Sequence, residues 1–181
     1  MVHSSCDIII VPIGGGGLIS GVAVAAKRMN PNIKIIGAEP EGASCMKQSL
    51  ESGEVVCLNT VSTIADGVAV KEPGKMTYEI VKDYVDEIIT VSDYETMEAF
   101  IEIMESHKLI AESSGALPLA AARKIKEKGK KVCCIVSGGN IDMVSISSMV
   151  QKGLVAKGRV FGFSILLPDR PGELVNVAKI L

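Results

Sequence analysis

Four consecutive glycines, Gly14, Gly15, Gly16 and Gly17, follow the apolar run Ile8-Ile9-Ile10-Val11-Pro12-Ile13 and precede Leu18-Ile19-Ser20-Gly21. Such a run presents successive backbone amides with no Cβ to hold an anion away, and it admits the positive φ angles of a loop that wraps around one. The helix expected from Leu18 points its positive end at the same spot, so the chemistry suited to these residues is the binding of a phosphate. Spacing tests two kinds of phosphate site. A nucleotide P-loop needs Gly-Lys-Ser/Thr at the helix start, where this chain has Leu18-Ile19. A dinucleotide fingerprint fits better, with Gly15 and Gly17 in place and Glu39 after the next strand to hold a ribose, but Ser20 stands where the third glycine belongs. A nicotinamide-dinucleotide dehydrogenase is therefore one alternative on residues alone.

The elements that must position this loop alternate in the manner of a βαβ array. Residues 6–13 and Ile33–Gly37 read as strands, the first apolar on both faces as a central parallel strand is. A helix from Leu18 to Met29 joins them and stops at Asn30-Pro31. A short helix from Ser44 to Leu50 ends by Gly53, and a loop carries Thr63-Ile64-Ala65-Asp66-Gly67-Val68. A helix beginning near Pro73-Gly74 places Met76, Ile80, Val81 and Tyr84 on one face, and the strand Glu87–Val91 follows. Ser92-x-x-Glu95 is a capping box, behind which Met97, Phe100, Ile101 and Met104 form a core stripe that His107 closes. Glu112-Ser113-Ser114-Gly115 reads as a polar turn, with Pro118 in the first turn of the next helix. The charged run Arg123–Lys128 is a solvated face, and the last strand, Val132–Val136, delivers Ser137-Gly138-Gly139-Asn140 to the carboxyl edge of the sheet, where open parallel sheets bind ligands.

Composition bounds the function classes. The chain has 181 residues, 48% of them hydrophobic, and a net charge of −2, which gives no electrostatic reason to bind nucleic acid or an anionic membrane. Its apolar runs are broken well short of the roughly 20 residues of a membrane span, and Met1-Val2-His3-Ser4-Ser5 lacks the regions of a signal peptide. Five cysteines, with Cys133 and Cys134 adjacent, suit reduced thiols and a cytoplasmic location.

Together, Pro12–Gly21, Gly37-Ala38-Glu39-Pro40, Thr63-Ile64-Ala65-Asp66-Gly67, Glu112-Ser113-Ser114-Gly115-Ala116 and Ser137-Gly138-Gly139-Asn140 resemble, in order, the carboxyl half of the pyridoxal-phosphate threonine dehydratases, or threonine ammonia-lyases. The resemblance implies an open, mostly parallel α/β sheet with helices on both faces, of the tryptophan synthase β-like type. It implies pyridoxal phosphate as cofactor, with its phosphate on the amides of Gly14, Gly15, Gly16 and Gly17, beside Leu18. Ser137, followed by Gly138, would meet the pyridine nitrogen, while Gly67 and Glu112 would lie beside the ring. A neutral hydroxyl does not keep that nitrogen protonated, which suits β-elimination over transamination.

Two departures from the family pattern shape the expectation. Glu39 and Ala43 match positions of a divalent cation site in some relatives, but Cys45 replaces its aspartate, and no metal is assigned. The Schiff-base lysine motif Ser-x-Lys-x-Arg-Gly-Ala is absent; Ser106-His107-Lys108 is its nearest imitation, so no catalytic residue is expected in this chain. Residues 1–158 are accordingly expected to be the carboxyl-terminal part of a catalytic domain, and residues 159–181 the first strand and helix of a truncated ACT-like regulatory domain. The implied activity is conversion of threonine, or serine, to a 2-oxo acid and ammonia by a homo-oligomer when full length, with the fragment inactive alone. A non-catalytic ligand-binding remnant is a further alternative.

Overall fold

The structure, a computed structural model, describes residues 6–180. Four strands, β1 (Ile8–Pro12), β2 (Lys34–Pro40), β3 (Glu87–Val91) and β4 (Val132–Cys134), form one sheet in the order β3-β2-β1-β4 with every pairing parallel. Parallel neighbours need crossover connections, and the helices supply them. Helices α1 (Gly17–Met29), α2 (Cys45–Ser52) and α3 (Lys75–Tyr84) pack on one face, where Val11, Ile13 and Ile35 meet Ile19, Ala23, Met46, Tyr78 and Val81. Helices α4 (Asp93–Glu102), α5 (Ser113–Ala122) and α6 (Met143–Ala156) cover the other, where Ile8, Ile10 and Ile36 meet Phe100, Ile101, Leu117 and Met149. Alternate residues of β1 thus feed two cores, which is why its sequence is apolar without a break.

Local signals fix the helix ends. Asn30 closes α1 through its N–H to the Ala26 carbonyl, and Gly53 closes α2 at φ 81°, a left-handed cap that favours glycine. The Ser92 hydroxyl accepts from the Glu95 amide at 3.2 Å while Glu95 accepts from the Ser92 amide at 2.7 Å, so the expected capping box forms at α4. That helix runs on through a wider turn over Ile103–His107 and ends where Lys108 adopts φ 56°.

Several expectations are corrected. Met76 is 78% exposed, because Tyr78 and Val81 face the core and a residue two positions before Tyr78 projects about 200° away around the helix. Glu112-Ser113-Ser114-Gly115 is not a turn: Glu112 is the N-cap and α5 begins at Ser113, leaving Pro118 inside the helix. Helix α5 is buried nearly all round, so tertiary packing outweighs the local preference of serine and proline for turns. The strand expected from Arg159 does not form; only the short helix α7 (Glu173–Ala178) follows, since an alternating pattern without a hydrogen-bonding partner is not a strand. The reading of residues 1–5 lies outside the described residues. No helix among the described residues is long and apolar enough to cross a membrane.

Glu39 has an unexpected place. It is fully buried, and its two oxygens accept from the backbone amides of Met46 and Lys47, each at 2.9 Å, at the start of α2. Burial pushes its carboxyl up to about 7, against the opposing pull of these amides and of Lys47. A carboxyl raised above its unfolded value of about 4.3 contributes stability that is fully present below that value and is lost as pH rises through about 7. Thermal unfolding followed by circular dichroism should therefore show the midpoint falling from about pH 5 to about pH 8, and Glu39→Gln, which cannot ionise, should flatten that slope. An unchanged slope in the variant would assign the dependence to other groups.

Candidate functional site

Strand order makes the site. The chain runs from β1 outward to β2 and β3, then returns to place β4 on the other side of β1. The loops leaving β1 and β4 diverge at this switch point, and the crevice beyond the carboxyl ends of such strands is where open α/β sheets hold ligands. A cavity of about 200 Å³ lies there. Gly14, Gly15, Gly16, Gly17 and Leu18 line it from the β1 side, Ser137 from the β4 side, and Gly67, Val68, Glu112 and Ser114 from the loop and helix between. Residues far apart in sequence and singled out there are thus brought together, and Gly138 lies against the Glu112 carboxylate at the rim.

The glycine loop is shaped to leave donors free. Among the described residues, the amides from Gly14 to Ile19 find no acceptor, and the first return bond of α1 runs from the Ser20 amide to the Gly16 carbonyl. Helix starts always leave such amides, and here the preceding loop adds more. The Gly15 carbonyl, by contrast, is held twice, by the Gly74 amide at 3.1 Å and the Thr77 hydroxyl at 2.5 Å. In a trans peptide the next N–H points opposite to that carbonyl, so fixing the Gly15 oxygen on α3 aims the Gly16 N–H away from α3. Gly16 itself has φ 92°, and a Cβ there would lie 2.7 Å from the Met46 Cε and 2.8 Å from the Thr77 Cβ. At Gly15 and Gly17 a Cβ would meet nothing within 4 Å, so those glycines leave open space in front of their amides.

The opposite wall is built by tethers. Asp93, at the start of α4, accepts from the Thr63 hydroxyl at 2.7 Å and the Ile64 amide at 3.2 Å, and the Ser113 hydroxyl donates to the Ile64 carbonyl at 2.7 Å. These bonds hold the Thr63–Val68 segment so that Val68 Cα would lie 3.2 Å from a Cβ on Gly14. Gly115 lets the Ser137 carbonyl approach α5 more closely than any side chain would allow, and the Glu112 amide reaches the Gly138 carbonyl at 3.3 Å. Ser114 is only 3% exposed, and its hydroxyl has no partner among the described residues. A second, larger cavity of about 430 Å³ shares Gly67, Glu112 and Ser114 and extends to Asn140, Asp142 and Met149.

Some sequence readings do not survive this geometry. Glu39 lies outside the cavity with both oxygens engaged by α2, so it cannot hold a ribose, and the dinucleotide alternative loses its acid. Ala43 lies in the short turn before α2, and burial pushes the neighbouring Cys45 thiol up to about 11, which keeps it protonated. Among the described residues no three His, Cys, Asp or Glu side chains converge as a metal would need. Ser106-His107-Lys108 sits at the end of the wider turn after α4, and no lysine lines either cavity. Ser114 enters the sequence analysis only as part of a motif, with no role of its own, and Thr77 and Asp93 are not in it at all, because nothing local marks a threonine or aspartate as facing a loop far away in the chain.

A set of free amides facing a carboxylate and two hydroxyls across a switch-point crevice defines the chain as part of an α/β cofactor-binding protein. The open space before Gly15 and Gly17, together with the partnerless Ser114 hydroxyl, fits a phosphate-bearing ring compound. The chain belongs to the pyridoxal-phosphate dependent enzyme family, which residues 2–138 match. It is 44% identical to an L-threonine ammonia-lyase of Thermotoga maritima over 176 residues, 97% of this chain and 44% of that protein. It is likewise 44% identical to a catabolic L-threonine dehydratase of Escherichia coli over 147 residues, 79% of this chain and 45% of that protein. Among solved structures, the processed form of threonine deaminase isoform 2 from Solanum lycopersicum superposes with a TM-score of 0.78 at 36% identity, covering 82% of this chain and 44% of that one. Maize serine racemase superposes with a TM-score of 0.75 at 41% identity, covering 83% and 49%. The chain therefore spans less than half the length of the relatives it matches here.

Gly16→Ala should destabilise the chain by about 2 kcal/mol or more in urea unfolding, since the side chain meets both a left-handed φ and the Thr77 and Met46 side chains. Gly15→Ala, with open space and no such φ, should stay within about 0.5 kcal/mol of wild type. Equal effects at the two positions would show that the loop is not held as described.

Proposed function

We propose that this chain is the cofactor-phosphate-holding part of a pyridoxal-phosphate ammonia-lyase that takes a small hydroxy amino acid, threonine or serine, to a 2-oxo acid and ammonia. The observation that carries the reading is the convergence of the free Gly14–Ile19 amides, Gly67, Glu112 and Ser137 on one crevice. The names and identities of the relatives favour threonine. Pyridoxal phosphate, when bound, supplies an electron sink for negative charge at the substrate α carbon.

The chain's own residues have four tasks. The amides of Gly14, Gly15, Gly16 and Gly17 bind the phosphate, helped by the positive end of α1, while Thr77 and Gly74 keep the loop oriented. Ser137 offers a neutral hydroxyl to the ring nitrogen; unlike a carboxylate it does not hold a proton there, which favours prompt loss of the β-hydroxyl over transamination. Gly67 and Glu112 flank the ring, and Gly138 gives the Glu112 carboxylate room. Leu18, 45% exposed, lines the cavity beside the glycines and would give the phosphate an apolar flank.

The catalytic lysine is not among these residues, since the chain lacks its motif and no lysine lines the cavities. Residues 1–158 form the carboxyl-terminal part of the catalytic domain in this reading. Residues 159–181, with Gly172 preceding α7, begin an ACT-like regulatory domain. The working enzyme is a cytoplasmic homo-oligomer.

The test is titration of the isotope-labelled chain, followed by amide chemical shifts, with inorganic phosphate and with pyridoxine phosphate, which lacks the aldehyde and cannot form adducts with surface lysines. Both should perturb Gly14–Leu18, and only the second should also perturb Gly67, Glu112 and Ser137. Perturbation centred elsewhere overturns the reading. Thr77→Val, which leaves the Gly15 carbonyl held by the Gly74 amide alone, should weaken phosphate binding by up to about tenfold, as expected for loss of an orienting hydrogen bond. A separate incubation with pyridoxal phosphate and threonine should yield no 2-oxobutanoate above a cofactor blank; turnover abolished by changing one lysine would relocate the catalytic base.

A further inference from the structure

Two buried hydroxyls among the described residues have no hydrogen-bond partner, those of Tyr78 and Ser114. Tyr78 sits in the apolar cluster beneath α1 and α3 and lines neither cavity near the glycine loop. Ser114 differs in every respect. It stands in the first turn of α5, two residues past Glu112, and it lines both the glycine-loop cavity and the larger one beside it. Its Oγ lies 2.8 Å from where a Cβ on Gly67 would be, and the Glu112 Oε1 lies 2.9 Å from the same point. The Ser137 carbonyl packs against Gly115, the next residue, so Ser114 and Ser137 stand at the same end of the cavity, opposite the phosphate loop.

A buried hydroxyl without a partner is costly, and one that lines a cavity is placed to be completed by what the cavity holds. Alanine is the residue a helix favours most, and α5 carries it at Ala116, Ala120, Ala121 and Ala122, so helix propensity gives no reason for a serine at 114. The hydroxyl is thus retained at the mouth of two cavities with its capacity unspent.

We propose that Ser114 is a second hydroxyl ligand of the bound cofactor, acting at the ring end of the cavity beside Ser137 and distinct from the phosphate-binding amides. This rests on the reading of the cavity as a pyridoxal-phosphate site. Ser114 hydrogen-bonds a polar atom of the ring, and by doing so orients the ring between Gly67 and Glu112. The phosphate end is fixed independently, so affinity for phosphate alone does not depend on Ser114.

The experiment compares the wild-type chain with Ser114→Ala in three measurements: binding of inorganic phosphate, binding of pyridoxine phosphate, and the thermal midpoint without ligand. Phosphate affinity should be unchanged, pyridoxine phosphate affinity should fall by about tenfold, and the ligand-free midpoint should be equal or higher, because a partnerless buried hydroxyl has been removed. Pyridoxine phosphate binding equal to wild type overturns the role of Ser114 and leaves the site intact. A lower ligand-free midpoint with phosphate affinity also reduced shows that the hydroxyl holds the fold instead, and likewise overturns it. Failure of the wild-type chain itself to bind pyridoxine phosphate sinks the reading of the cavity along with the proposal.

Discussion

Backbone amides left without acceptors are the constraint around which this molecule is arranged. A protein interior tolerates few of them, yet the stretch from Gly14 to Ile19 leaves a whole set facing one crevice. They stay free because the competing geometry is blocked. The Gly15 carbonyl is tied to α3 by the Gly74 amide and the Thr77 hydroxyl, and Gly16 fits against Met46 and Thr77 only without a Cβ. The loop is therefore rigid on the side that packs and bare on the side that does not. Preorganised donors of this kind bind an anion without first having to be ordered.

The opposing wall obeys a different logic. Its residues come from the Thr63–Val68 segment, from the first turn of α5 and from the end of β4, and each is fixed by bonds to another element. Asp93 and Ser113 hold the segment that carries Gly67, and the absence of a side chain at Gly115 draws Ser137 onto α5. The crevice is thus a meeting of short tethers between β1, β4 and α5, which accounts for the burial of α5 on almost every side. An element buried all round cannot show the one-sided apolar pattern of a surface helix.

Glu39 ties the end of β2 to the start of α2. In the pattern this chain resembles, the glutamate of the Glu-Pro turn is partnered by a later aspartate; here Cys45 stands at that place and its thiol remains protonated. Glu39 caps α2, its two oxygens accepting from the Met46 and Lys47 amides at the helix start. Met46, whose amide it accepts, also packs against Gly16, so the carboxylate lies one residue from the loop that frames the crevice.

What the sequence determined was whatever depends on neighbours in the chain. The glycine run, the apolar β1, the Ser92–Glu95 capping box and the Gly53 helix end are local, and their elements stand where the pattern places them. The order of the family motifs carried more, naming Gly67, Glu112 and Ser137 for one site although nothing local joins them. Other features were decided only by the tertiary structure. Ser113 and Ser114 look like turn residues and become helix because packing against the sheet outweighs their propensity; Met76 leaves the core because Tyr78 and Val81 set the rotation of α3. The strand pattern after Arg159 stays unpaired because a strand requires a partner that its own sequence cannot supply. Thr77 on the Gly15 carbonyl, Asp93 on the Thr63 segment and Glu39 on α2 are polar contacts across the fold, and single polar residues carry no periodic signal, so only the folded chain could assign them.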